Sequence, residues 1–245
     1  MIRNSWVVLG VVAFSMLTWE TVAAPDVETI LAAVLERDAE VNQRKQAYQF
    51  DLTLVNEKLN QDNSVIRKEV VQAIIRPGSG GAFQEIIGKA NESPDEVSAS
   101  DRKEISRSQG AMKSMDLKKL APRFRIELEG EDQEQGIDCW VLSFKPKPGQ
   151  PFSSREEKVI NRLAGRFWVS KKDYSIVRSS GALTEPVAVA WVFAVMRELT
   201  FDYRTRALAG VGRVPETFDL MFDVQTPVNH VRRRQTSTMR NYRSL

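Results

Sequence analysis

The sequence predicts a mainly β protein with helices (α+β): a curved antiparallel sheet with helices packed on its concave side. Three observations predict it. Apolar and polar residues alternate with period two in segment after segment downstream of Tyr48. Short turn sequences rich in Gly, Asn, Asp and Pro separate those segments. One long stretch near the start carries clear helical periodicity instead.

Composition supports a globular chain and narrows its chemistry. The 245 residues are 42% hydrophobic and 27% charged with a net charge of +3, which excludes a disordered chain. A single cysteine excludes an intramolecular disulfide and a Cys-rich zinc site. Residues 1–23 have the form of a secretory signal peptide. Arg3 supplies the positive start, Trp6–Leu17 is an uncharged run too short to span a bilayer comfortably, and Thr21-Val22-Ala23 offers a cleavage site. The expected mature protein is an exported, periplasmic single domain, residues 24–245, without a lipid-modified cysteine.

Asp26–Ala47 is the clearest helix. Asp26 is its N-cap, and Val27, Ile30, Leu31, Val34, Leu35 and Val41 form one apolar stripe. Tyr48, Phe50, Leu52 and Leu54 then mark a half-buried strand. Asn60–Ser64 turns it into a second strand, Val65–Arg76, and Pro77–Gly81 leads into a third over Ala82–Gly88. Together these make an antiparallel meander. Lys89–Leu120 is a polar excursion with a helix expected over Asp101–Lys119, anchored sparsely by Ile105, Met112 and Met115.

Strands resume at Phe124–Leu128. Gln133–Gly136 turns into Ile137–Lys145, where Trp140, Leu142 and Phe144 lie on one side and Cys139 and Val141 on the other, as in a central strand. Ser153–Leu163 reads as a short helix. Gly165–Ser170 and Ser175–Ala182 form a hairpin about a polar turn. Leu199–Arg204 and Phe218–Val224 alternate strongly; His230–Arg243 alternates weakly, as an edge strand would. The sequence shows neither an internal repeat nor a domain boundary.

Catalytic and metal chemistry find little support. His230 is the only histidine and has only basic or apolar close neighbours in sequence. Glu127, Glu129, Glu131 and Asp132 read as a solvated strand end. No metal-ligand spacing occurs, and Gly78–Gly81 lacks the Gly-Lys-Ser/Thr ending of a phosphate loop. No cofactor is expected. The C-terminal arginines Arg232, Arg233, Arg234, Arg240 and Arg243 follow Asp223 with no acidic residue after it. In an exported protein they point to an anionic membrane surface or an acidic envelope partner, not to nucleic acid. The alternative is protection of an edge strand.

The segment Gly165-Arg166-Phe167-Trp168-Val169-Ser170-Lys171-Lys172-Asp173-Tyr174-Ser175-Ile176-Val177-Arg178 resembles the LolA/LolB-like superfamily of periplasmic lipoprotein carriers. A Gly-x-x-Trp-Val/Ile strand, a polar turn and an Ile/Val-Val-Arg strand recur there. Ser170 stands where an acidic residue is common, and Pro146–Leu163 is an added stretch. The resemblance implies an unclosed β-barrel with helices as a lid over an apolar cavity, and a monomer that is not an enzyme. It implies a carrier or sensor for a lipid or lipoprotein acyl chain. The candidate lining is Phe50, Leu52, Leu54, Met112, Met115, Trp140, Leu142, Phe144, Phe218 and Leu220. Residue patterns alone leave open whether that space is a cavity or filled core. They also leave open a structural or regulatory envelope module that binds a protein partner.

Overall fold

A computed structural model describes residues 25–77, 84–88, 117–190 and 194–245. The expected leader, the Gly78–Gly81 turn and all of the polar excursion up to residue 116, Met112 and Met115 included, lie outside the described residues.

Asp26 caps helix α1 (Val27–Arg44): its carboxylate accepts the Thr29 N–H at 2.8 Å. One 3-10 turn, Lys45–Ala47, hands the chain to β1 (Tyr48–Leu59). β1 pairs antiparallel with β2 (Val65–Pro77), and β2 with β3 (Gln84–Gly88), which is the expected meander. In the β1–β2 loop the Asn60 side-chain oxygen accepts the N–H groups of Asp62 and Ser64 at 3.1 and 2.9 Å.

A single helical turn, α2 (Leu117–Leu120), precedes β4 (Phe124–Glu134). β4 and β5 (Ile137–Pro146) form a hairpin whose turn residues Gln135 and Gly136 have φ of 55° and 73°. Two successive left-handed residues are what a type I′ turn requires. Helix α3 (Arg155–Ile160) is shorter than the sequence predicts. Ser154 caps it, accepting the Glu157 N–H at 3.1 Å, but Leu163 already opens β6 (Leu163–Ser170). Then follow β7 (Ile176–Leu183), β8 (Val187–Ala190), β9 (Ala194–Leu208), β10 (Gly212–Gln225) and β11 (His230–Ser244). Pro215 sits inside β10 because the pairing with β9 slips by one residue between Pro215 and Thr217. A bulge is where an interior strand tolerates proline.

The strand order is β3-β2-β1-β11-β10-β9-β7-β6-β5-β4, with β8 paired to β9 off this path. Every pairing is antiparallel, and the sheet is not closed into a barrel. Two expectations change here. β11 is not an edge strand: it lies between β1 and β10. Nor is β5 central; it is one strand from the β4 edge.

β5 is nevertheless buried on both faces. On its outer side Cys139, Val141, Trp168 and Val177 form a small cluster. The Arg178 guanidinium lies 4.8 Å above the Trp168 ring, and the Trp168 indole N–H donates to Asp132 at 3.1 Å. Arg178 also pairs with Asp202 and Glu134. Long charged side chains thus roof an apolar patch that no helix covers among the described residues. Cys139 is fully buried there, and burial pushes its thiol pKa up. Among the described residues no helix is long and apolar enough to cross a membrane.

Candidate functional site

Register determines which side chains share the inner face. Leu54 of β1 faces Val71 of β2 and Ser237 of β11; Ser237 faces Phe218 of β10, and Phe218 faces Tyr203 of β9. Parallel rows lie two residues along each strand. The result is an apolar surface running across the sheet. Its largest cluster joins Phe50, Leu52, Leu54, Ile75, Phe124, Phe144, Phe201, Phe218 and Met239. Phe167, Leu183, Leu199, Tyr203 and Leu220 pack against it and are only partly buried.

Helix α1 does not cover this cluster. Ile30 and Val34 pack instead on Trp140, Leu142 and Val169, toward the β4 end of the sheet. Val41, nearer the helix C-terminus, meets Val211 and Val214 at the β9–β10 turn. The predicted lining residues therefore divide. Phe50, Leu52, Leu54, Phe144 and Phe218 are buried in the larger cluster, and Leu220 packs partly buried against it; Trp140 and Leu142 anchor the helix.

Aromatic rings organise both groups. Phe144 stacks on Phe167 at 4.7 Å and takes Phe124 edge-on at 5.2 Å. Trp140 lies 5.2 Å from Tyr174. Such pairs add about 0.5–1.5 kcal/mol each beyond area burial. Burial pushes the Tyr203 and Tyr242 hydroxyls far above the usual phenol range, and Tyr242 donates to the Pro215 carbonyl at 2.7 Å.

The structure does not bring the four candidate arginines together. The pleat sends Arg232 and Arg234 outward, where Arg232 meets Glu198 at 3.0 Å and Arg234 meets Glu57 at 3.2 Å. Arg240, opposite Asp51, is also on the outer face and exposed. Arg233 alone faces inward, opposite Lys58 and Phe222. Edge protection is no explanation for arginines on an interior strand.

Sequence reasoning missed this inward row. Lys58 faces Arg233 on one side and Arg67 on the other, so three cations stand in line across β2, β1 and β11. The signal was partly present, since Lys58 continues the phase of Leu52 and Leu54. The register that adds Arg67 and Arg233 is not visible in one sequence.

Elsewhere the polar groups are structural. His230 meets the buried carboxylate of Asp223 at 2.6 Å, a neighbour the linear sequence hides because the β10–β11 hairpin brings it there. Glu129 pairs with Arg166 at 2.6 Å and Glu131 with Lys171 at 2.5 Å. Among the described residues no group of three or more His, Cys, Asp or Glu could hold a metal ion. An open cleft of about 530 Å³ lies between α1, the β6–β7 turn and the β9–β10 turn, lined by Arg37, Arg44, Lys172, Asp173 and Arg213. Its cations are largely committed. Arg37 donates to Glu40 at 2.9 Å, and Arg213 donates to Thr205 and Gln135.

No family model matches the chain, and no curated protein matches it. Solved structures do. One is a DUF1329 family protein from Desulfovibrio piger, with 12% identity over 90% of this chain and 94% of that one, at a TM-score of 0.38. A LolA superfamily protein from Nitrosomonas europaea has 8% identity over 91% and 94%, also at 0.38. A chain of the Pseudomonas aeruginosa MucA/MucB complex structure has 11% identity over 86% of this chain and 98% of that one, at 0.27. The second carries the superfamily name that the Gly165–Arg178 hairpin resembles. At this level of likeness no residue is carried from one chain to the other.

Proposed function

We propose that this chain is a non-catalytic carrier or sensor, exported to the periplasm, that holds an acyl chain of a lipid or lipoprotein against the inner face of its sheet. One observation carries the reading. The inner face carries a large apolar cluster, itself buried, that α1 does not pack against, and Phe167, Leu183, Leu199 and Leu220 at its border are only partly buried. A contiguous set of partly buried apolar side chains along one face of a sheet is a place for a ligand. Each methylene buried there contributes about 0.8 kcal/mol, so an acyl chain binds without a polar code. That accounts for the lack of any catalytic or metal motif. Strand addition at the β4 edge is a poorer reading, because charged residues, Glu127 among them, stand exposed along that edge.

Native mass spectrometry of protein purified from its own envelope tests the proposal. The expected result is a mass increment that matches a lipid and is lost on delipidation. Protein that carries no lipid and takes up none from detergent-free lysophospholipid solution would overturn it.

A further inference from the structure

The row Arg67–Lys58–Arg233 is anomalous within this sheet. Several other strand arginines meet carboxylates: Arg166 with Glu129, Arg178 with Asp202, Arg232 with Glu198, Arg234 with Glu57, Arg243 with Asp51. In this row each cation has another cation directly opposite. Like charges in that position destabilise a sheet. Among the described residues neither Lys58 nor Arg233 has an ion-pair partner, and both are exposed. Arg67 meets Glu69, on the same face, at 2.6 Å, so the row keeps a net charge of about +2 at neutral pH.

Its position gives the row a use. Arg233 faces Phe222, and Phe222 faces Leu199. One row further in stand Leu220 and Phe201, and beyond them Phe218 and Tyr203. Asn56 and Gln235 share the row between on β1 and β11, so the cations stand at the end of the same face, beside the partly buried Phe222, Leu199 and Leu220. An acyl chain lying along those apolar side chains with its polar end outward would set its headgroup beside Lys58 and Arg233.

We infer that Arg67, Lys58 and Arg233 form a headgroup subsite selecting acyl amphiphiles with a net-anionic, phosphate-class headgroup. This rests on the acyl-binding reading above and deepens it. The subsite supplies charge recognition and the apolar side chains supply affinity. A cation near an anionic group contributes about a fivefold to tenfold gain, so two unpaired cations give a preference of at least about tenfold.

The test is calorimetric titration of the whole chain with lysophosphatidylglycerol and with lysophosphatidylcholine of the same chain length, each below its micelle concentration. Inorganic phosphate is titrated separately. The expected result is at least about tenfold tighter binding of lysophosphatidylglycerol. The preference falls with added salt and is lost in the double variant Lys58→Gln/Arg233→Gln, whose melting temperature does not drop. Equal affinity for both lipids would overturn the subsite and leave the acyl-binding reading standing. Equal losses for both lipids in the variant would also overturn it, since the effect would not follow charge. Inorganic phosphate binding as tightly as lysophosphatidylglycerol would make the row a simple anion site. Binding of neither lipid would overturn both the subsite and the function it rests on.

Discussion

Gly165 of β6 packs directly against β7. A Cβ there would stand 2.0 Å from the Ser180 carbonyl oxygen and 2.7 Å from the Phe144 ring. Backbone cannot swing aside as a flexible side chain can. Gly165→Ala is therefore expected to cost about 3 kcal/mol, the upper part of the overpacking range, measured by denaturant unfolding. The same close approach lets Phe144 lie flat on Phe167. The glycine that opens the Gly165–Arg178 signature was legible in the sequence; its reason was not, because the reason is a β7 carbonyl and a β5 ring that strand pairing brings against it. Lys58 is a similar case. Its phase is readable, its cationic neighbours are not.

Helix α1 was the most legible element, since its cap and its stripe are both local. The pattern left open which part of the sheet it covers. Ile30 is fully buried against the Trp140 cluster, whereas Leu220 is only partly buried at the border of the larger cluster. Ile30→Ala should then cost about 2–5 kcal/mol. Leu220→Ala should cost only about 1 kcal/mol while weakening acyl binding clearly. Thermal unfolding paired with lipid titration checks both. The helix is also tied down electrostatically at the β6–β7 turn. Burial there favours protonation of Asp173, but hydrogen bonds from Ser175 and Ser170 and the charge of Arg37, 3.7 Å away, outweigh it and hold the carboxyl below its ordinary 3.8. A lowered carboxyl pKa stabilises the fold above its unfolded value, and that stability is lost as pH falls through the folded one. Wild-type stability should decline from about pH 4 downward, and Asp173→Asn should show a shallower decline in the same acid titration. The α3 helix was over-read by its ending, because Leu163 suits a helix stripe and a strand start equally well.

Across the whole molecule the two faces follow different rules. The inner face is mainly apolar, with Ser237, Gln235 and Asn56 set in it and cations at one end, while the outer face is a lattice of ion pairs roofing one small cluster. Surface pairs of this kind contribute little individually, about 0–1 kcal/mol, so the fold rests on the inner face. The edges need separate protection. β4 carries exposed Glu127 and Glu131 along its open side of the sheet. Glu127→Val/Glu131→Val should leave the monomer folded but raise its aggregation rate on warming, as followed by light scattering. β11 was misplaced by its composition. Its inward residues Ser237, Gln235 and Arg233 are polar, so the alternation looks like that of a rim strand. Its interior position comes from pairing with β1, a contact between distant parts of the chain that no local window contains.

That pairing has a consequence for biosynthesis. The β1–β2 hairpin is made early, yet its other neighbour is the last strand in chain order. At about 5–20 residues per second, β1 waits on the order of ten to forty seconds for β11 to emerge. Phe50, Leu52 and Leu54 remain without their final cover throughout that interval. The nascent chain is thereby held in an incomplete state until its final strand is made. It is also a state in which a holding chaperone would find its hydrophobic target on the first hairpin.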